Sequence, residues 1–188
     1  MKKKQLVTLS ALGLLLGPIA AQAQYDYQQI DYPGQAETNV WGINDSGDVV
    51  GVGFGPDNIP FIYASMDGTI TDVAPAAGFL STSLLGINDA GVSVGAVVSL
   101  DGSSQSGVIR TKDGEYTTFD HPDAVSATTG RGVNNKGLVS GTYVDANETL
   151  AGYLYDPKTE TFTDLVPSLQ TIAHGINSKG VVVGSSIF

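Results

Sequence analysis

The sequence predicts an all-β fold: a small or incomplete β-propeller built from four repeats of about 44 residues. Three observations predict it. First, a ten-residue motif recurs four times, its opening glycines at 42, 86, 132 and 175, giving spacings of 44, 46 and 43 residues. A period in this range points to a propeller, solenoid or other array. Second, each interval between motifs holds a strand-like run, aromatic in the first and third, then a turn signal and a Thr-bearing run. Third, Val, Thr, Tyr, Ile and Gly dominate after residue 23, with turn signals about every 8–12 residues and no helical periodicity.

The first 23 residues read as a signal peptide: Lys2-Lys3-Lys4, an apolar run from Leu6 to Ala20, and the small-x-small site Ala21-Gln22-Ala23. The apolar run is short for a membrane span, and no later segment approaches one. The expectation is cleavage after Ala23, a secreted or periplasmic location, and a β-repeat domain over residues 24–188. Intact mass of the exported protein should show Gln24 first, and retained lysines at the N-terminus would refute that.

The chain carries 9 basic and 19 acidic residues, for a net charge of −10. Cleavage would remove three basic residues and no acidic one. So acidic a chain is a poor fit to nucleic acid or anionic lipid, both of which need basic patches. It has no cysteine, so burial and hydrogen bonding must hold the fold without disulfides.

Taken in order, Tyr27–Asp31 reads as a first strand. The motif Gly42-Ile43-Asn44-Asp45-Ser46-Gly47-Asp48-Val49-Val50-Gly51 reads as a turn between two strands. Its Asn side chain can accept backbone N–H bonds, and its second Gly can take positive φ. Phe61–Ala64, the turn Asp67-Gly68 and Thr69–Val73 form a hairpin. The plan repeats with Leu84–Asn88 and Val92–Val97, then Val108–Arg110, the turn Asp113-Gly114 and Tyr116–Phe119. The motifs at Gly132 and Gly175 flank the hairpin Tyr153–Tyr155, Thr161–Asp164. The motif's final glycines, Gly51, Gly95, Gly141 and Gly184, sit inside strands, where they predict close approach of neighbouring backbones.

The Gly-Ile-Asn-x-x-Gly-x-Val-Val-Gly pattern, alternating with a Phe/Tyr strand, an Asp-Gly turn and a Thr-Asp-x-x-Pro segment, resembles the HAF-type extracellular repeats of bacteria. Tyr27–Pro33 and Tyr116–Pro122 carry the likeness well, and it spans residues 27–184. The chain departs from it where Pro60-Phe61, Gly107-Val108 and Gly152-Tyr153 replace a His-Ala-Phe signature. The resemblance implies secretion and a propeller-like arrangement, and no particular reaction.

Fifteen candidate strands result where four full blades need sixteen. A closed four-bladed ring, an open arc and the front part of a longer protein all fit that count. Open edges invite self-association.

Candidate chemistry is sparse. Asp31, Asp72, Asp120 and Asp164 precede the repeat prolines and read as strand-end residues satisfying loop N–H groups. One carboxylate per repeat does not gather the roughly 6–8 oxygens that calcium takes. His121 and His174 are the only histidines, too few for zinc's three or four ligands. No nucleophile elbow is present. No catalytic set, metal or cofactor is predicted. The position before each Gly-Ile-Asn or Gly-Val-Asn changes completely among the repeats: Trp41, Leu85, Arg131 and His174. Trp41, Arg131 and His174 are therefore the candidate ligand-binding residues. The expected role is a non-enzymatic binding or scaffold module for an extracellular ligand or protein. The alternative is a secreted enzyme acting on a polysaccharide or related polymer.

Overall fold

A computed structural model describes residues 27–54, 59–64, 68–166 and 170–187. The expected signal peptide and Asp67 of the first hairpin turn lie outside the described residues. The compact unit comprises Asp31–Phe188.

Fourteen strands and no helix make up the described chain. No helix there is long and apolar enough to cross a membrane. The strands are β1 (Glu37–Ile43), β2 (Val49–Phe54), β3 (Ile59–Ala64), β4 (Thr69–Asp72), β5 (Phe79–Ile87), β6 (Ser93–Ser99) and β7 (Gln105–Arg110). They continue with β8 (Tyr116–Phe119), β9 (Thr128–Val133), β10 (Val139–Val144), β11 (Leu150–Asp156), β12 (Thr161–Leu165), β13 (Gln170–Ile176) and β14 (Val182–Ile187). They form three four-stranded antiparallel meanders, β1–β4, β5–β8 and β9–β12, and one two-stranded sheet, β13–β14. None of these sheets closes on itself.

One expected strand is absent. Tyr27–Asp31 is not a strand, which accounts for fourteen where fifteen were expected. Its counterparts β4, β8 and β12 each pair with the strand that precedes them, β3, β7 and β11. No such partner is described ahead of Tyr27, and a strand without a ladder leaves its backbone groups without sheet bonds.

Each motif forms the turn its sequence predicts. The second glycine has positive φ in all four copies: Gly47 82°, Gly91 75°, Gly137 88° and Gly180 86°. Each motif Asn accepts two local N–H bonds on Oδ1; Asn88, for instance, accepts from Ala90 and Val92, both at 3.0 Å. The hydrophobic core lies between neighbouring sheets. Val50 and Val73 of the first repeat pack with Leu84 and Ile87 of the second. Val94 and Phe119 of the second pack with Val133, Val139, Tyr143, Tyr153 and Tyr155 of the third.

The motif strands stack in chain order. A Cβ built on Gly42 would lie 2.9 Å from the Gly86 Cα, one on Gly86 3.1 Å from the Gly132 Cα, and one on Gly132 3.1 Å from the Gly175 Cα. At 2.9 Å a neighbour must shift, and at 3.1 Å it must give by a few tenths of an ångström, so the stack favours glycine at each of these steps. Asparagine side chains run alongside. The Nδ2 group of Asn44 donates to Asn88 O (3.2 Å), that of Asn88 to Asn134 O (3.0 Å), and that of Asn134 to Asn177 O (3.1 Å). The stack does not return to its start: a Cβ on Gly175 meets only Val183 within 4 Å.

Candidate functional site

The variable residue before each motif glycine has a structural meaning that spacing alone did not reveal. In β1, Val40 pairs with Gly51 and Gly42 with Val50, so Trp41 is an extra residue in the ladder. Leu85 is skipped likewise between Leu84 and Gly86, Arg131 between Gly130 and Gly132, and His174 between Ala173 and Gly175. All four are β-bulge residues. A bulge frees one residue from cross-strand pairing and re-aims its side chain. The repeat thus holds its backbone constant and leaves the bulge side chain free to change.

These four side chains line a single open cavity of about 470 Å³, its wall completed by the motif turns of all four copies. Trp41 and His174 are exposed; Leu85 and Arg131 are half-buried. The Arg131 Nε is buried and has no hydrogen-bond partner. His174 Nε2 lies 3.3 Å from Ser185 Oγ. The cavity therefore offers an indole face, a guanidinium, an imidazole and an aliphatic side chain.

A second ladder, one residue after the asparagines, lines the same cavity. Asp45 N–H donates to Asp89 Oδ1 (2.8 Å), and Asp89 N–H donates to Asn135 Oδ1 (3.0 Å). Asn135 Nδ2 in turn donates to Asp89 Oδ2. The bond from the Asp45 backbone, then that from the Asn135 side chain, hold the Asp89 carboxyl below its ordinary range. Asp89 is an ionised acceptor and a poor proton donor.

The four repeat aspartates do not form a ring of ligands. Asp72 accepts from Tyr32 Oη, and Asp120 from Ser106 Oγ at 3.2 Å. Asp164 accepts from Tyr143 Oη at 3.3 Å and faces His121 Nε2 at 3.2 Å.

His121, Asp123 and Asp164 gather three metal-capable groups within 4.8 Å. Within the protein, hydrogen bonding occupies the imidazole. Its Nδ1 accepts from Asp123 N–H at 3.2 Å, so in the neutral ring the proton sits on Nε2 and points at Asp164. Both nitrogens are engaged within the protein. The ring is 4% exposed and stacks on Tyr143 with centroids 3.7 Å apart. Burial pushes its pKa down against the opposing pull of Asp164 and Asp123. His121 is a neutral, buried fixture of the third sheet. The structure links His121 to Asp164 on β12, and no local sequence signal marks that partner.

No protein-family model matches this chain, and no curated protein matches it.

Proposed function

We propose that this chain is an exported, HAF-type β-repeat protein, propeller-like in arrangement, that binds an extracellular ligand at the bulge cavity and performs no catalysis there. One observation carries the reading. The four positions before the motif glycines, which differ in every repeat, are all bulge residues, and all four line one cavity. A fixed scaffold presenting variable side chains to one space is how binding surfaces are commonly built. The rim chemistry supports it: an exposed indole for stacking, a guanidinium with an unused donor, and acceptors on the two ladders.

The polysaccharide-cleaving alternative needs a carboxyl of raised pKa as proton donor beside an ionised one. Asp89, in the cavity wall, is shifted in the other direction.

The chain's single tryptophan is Trp41, so its fluorescence reports on the cavity directly. Glycan and protein arrays would supply candidates, and each would then be titrated while tryptophan emission is followed. A true ligand should shift the emission saturably, and Arg131→Ala should weaken it by about tenfold or more. Binding that leaves Trp41 emission unchanged and survives Arg131→Ala would place the site elsewhere.

A further inference from the structure

The bulge cavity is charged unevenly. Its wall holds four titratable side chains: Asp45, Asp89, Arg131 and His174. The two carboxylates come from the first and second motif copies, and the third and fourth carry Asn135 and Ser178 at the same position. The bulge side chains run the other way. Trp41 and Leu85 come from the first and second copies, Arg131 and His174 from the third and fourth. Because the copies stack in chain order, one end of the cavity is acidic and aromatic and the other is basic, with Leu85 between them. We infer that the ligand of this cavity is a small zwitterion, its ammonium at Trp41, Asp45 and Asp89 and its carboxylate at Arg131 and His174. The inference rests on the cavity being a binding site.

A ligand of one sign matches only half of this wall. An anion at Arg131 would also face the field of Asp45 and Asp89, and like charges brought together oppose binding. A cation at the acidic end leaves the guanidinium unmatched, its Nε buried and without a partner. The protein does not cancel the two ends itself: among the described residues, no ion pair joins Arg131 or His174 to Asp45 or Asp89. A ligand carrying both charges answers both ends at once.

The side chains suit these roles. The Asp45 N–H, then the Asn135 amide, hold the Asp89 carboxyl below its ordinary range, so it stays charged. Those two bonds leave about half of a carboxylate's four or so acceptor positions for a ligand ammonium. The Trp41 indole is exposed, and an indole face attracts an organic cation. A guanidinium is a planar fork that matches a carboxylate. Leu85 supplies aliphatic surface for the stretch between the charges. A volume of about 470 Å³ is in the range that takes a small molecule.

Three compounds of one chain length separate the two charges: 6-aminohexanoate, hexanoate and hexylamine. Each would be titrated into the purified full chain while Trp41 emission is followed. 6-Aminohexanoate should shift the emission saturably and bind about tenfold or more tightly than either singly charged compound. Arg131→Ala should reduce it to the level of hexylamine, while hexylamine itself binds as it does to the parent, which shows the cavity intact. The isosteric pair Asp45→Asn and Asp89→Asn should reduce it to the level of hexanoate. Triglycine, free or with acetyl and amide ends, extends the series: free triglycine binding more tightly than 6-aminohexanoate makes the zwitterion a peptide, and the reverse makes it a free amino acid. Hexanoate or hexylamine equalling 6-aminohexanoate on the parent would overturn the proposal. So would the lack of a saturable shift with both 6-aminohexanoate and triglycine at millimolar concentration. The cavity reading fails separately, through a ligand that binds without involving Trp41 and Arg131. A neutral or singly charged ligand that needs both residues keeps the cavity and overturns the zwitterion.

Discussion

The second and fourth motif copies are nearly the same sequence in different surroundings. Gly86-Ile87-Asn88 lies between two neighbours; Gly175-Ile176-Asn177 has a neighbour on one side only in the described stack. Their local geometry is the same. Both asparagines accept N–H bonds from residues two and four ahead, all at 3.0 Å. Both turn glycines have positive φ. Yet Asn88 is 5% exposed while Asn177 is exposed. The first copy, at the other end of the stack, is also more open than the second: Ile43 is 68% exposed where Ile87 is 7%. The motif thus encodes its own turn, and its neighbours decide how much that turn contributes to stability. This is the energetic form of a repeat array, with intrinsic and nearest-neighbour contributions that separate.

The sharpest test of that separation is Asn88→Ala against Asn177→Ala. Asn88→Ala strands the N–H groups of Ala90 and Val92 and removes one of the two donors to the Asn134 carbonyl, which keeps its bond from Gly137 N–H. At about 1–3 kcal/mol for a buried group left unsatisfied, a loss of at least about 2 kcal/mol is expected in chemical denaturation. Asn177→Ala removes bonds that water can replace and should cost about 1 kcal/mol or less. Equal losses would break the comparison.

Next in size is Gly86→Ala against Gly175→Ala. A Cβ at Gly86 would lie 2.7 Å from Arg131 O, whereas one at Gly175 has its nearest neighbour at 3.7 Å. Overpacking of this kind costs about 1–3 kcal/mol, so Gly86→Ala should lower the melting temperature clearly and Gly175→Ala hardly at all.

The third test concerns pH. His121 is buried on a complete sheet, and burial lowers its pKa in the folded state. Below about pH 6.5 the unfolded chain therefore takes up a proton that the folded chain resists. Stability at neutral pH should fall as the medium is acidified through that range. The contribution of one such proton is at most about 1.4 kcal/mol per pH unit. Denaturation midpoints between pH 5 and 8 should slope less in His121→Gln than in the parent; an unchanged slope would mean that His121 is not the group responsible.

Trp41→Ala should have the smallest effect on stability, within about 0.5 kcal/mol, because the side chain is 55% exposed. It removes the indole face of the cavity, so ligand binding should fall while the melting temperature holds.

Much of this fold is legible in sequence because it is local. Asn and Gly specify the motif turns, and the alternation around Phe61, Val108 and Tyr153 specifies the strands. Two features were not legible. Tyr27–Asp31 has the composition of a strand, but pairing depends on a partner that composition does not reveal. The bulges at Trp41, Leu85, Arg131 and His174 are a matter of register between two strands. Sequence flagged those positions as variable and left their unpaired state unseen. The pairing of His121 with Asp164 escaped for the same reason, since it joins a loop to a later strand.

The asparagine ladder gives the stack a direction. Every rung donates from an earlier copy to the carbonyl of a later one. Because donor and acceptor come from the same residue type, any copy can stand next to any other without new chemistry at the joint. A duplication that inserts one more Gly-Ile-Asn unit would arrive already fitted with its acceptor for the copy before and its donor for the copy after. Lineages carrying such a unit can therefore gain or lose repeats in single genetic steps, and with each gain acquire one more freely mutable bulge side chain at the cavity.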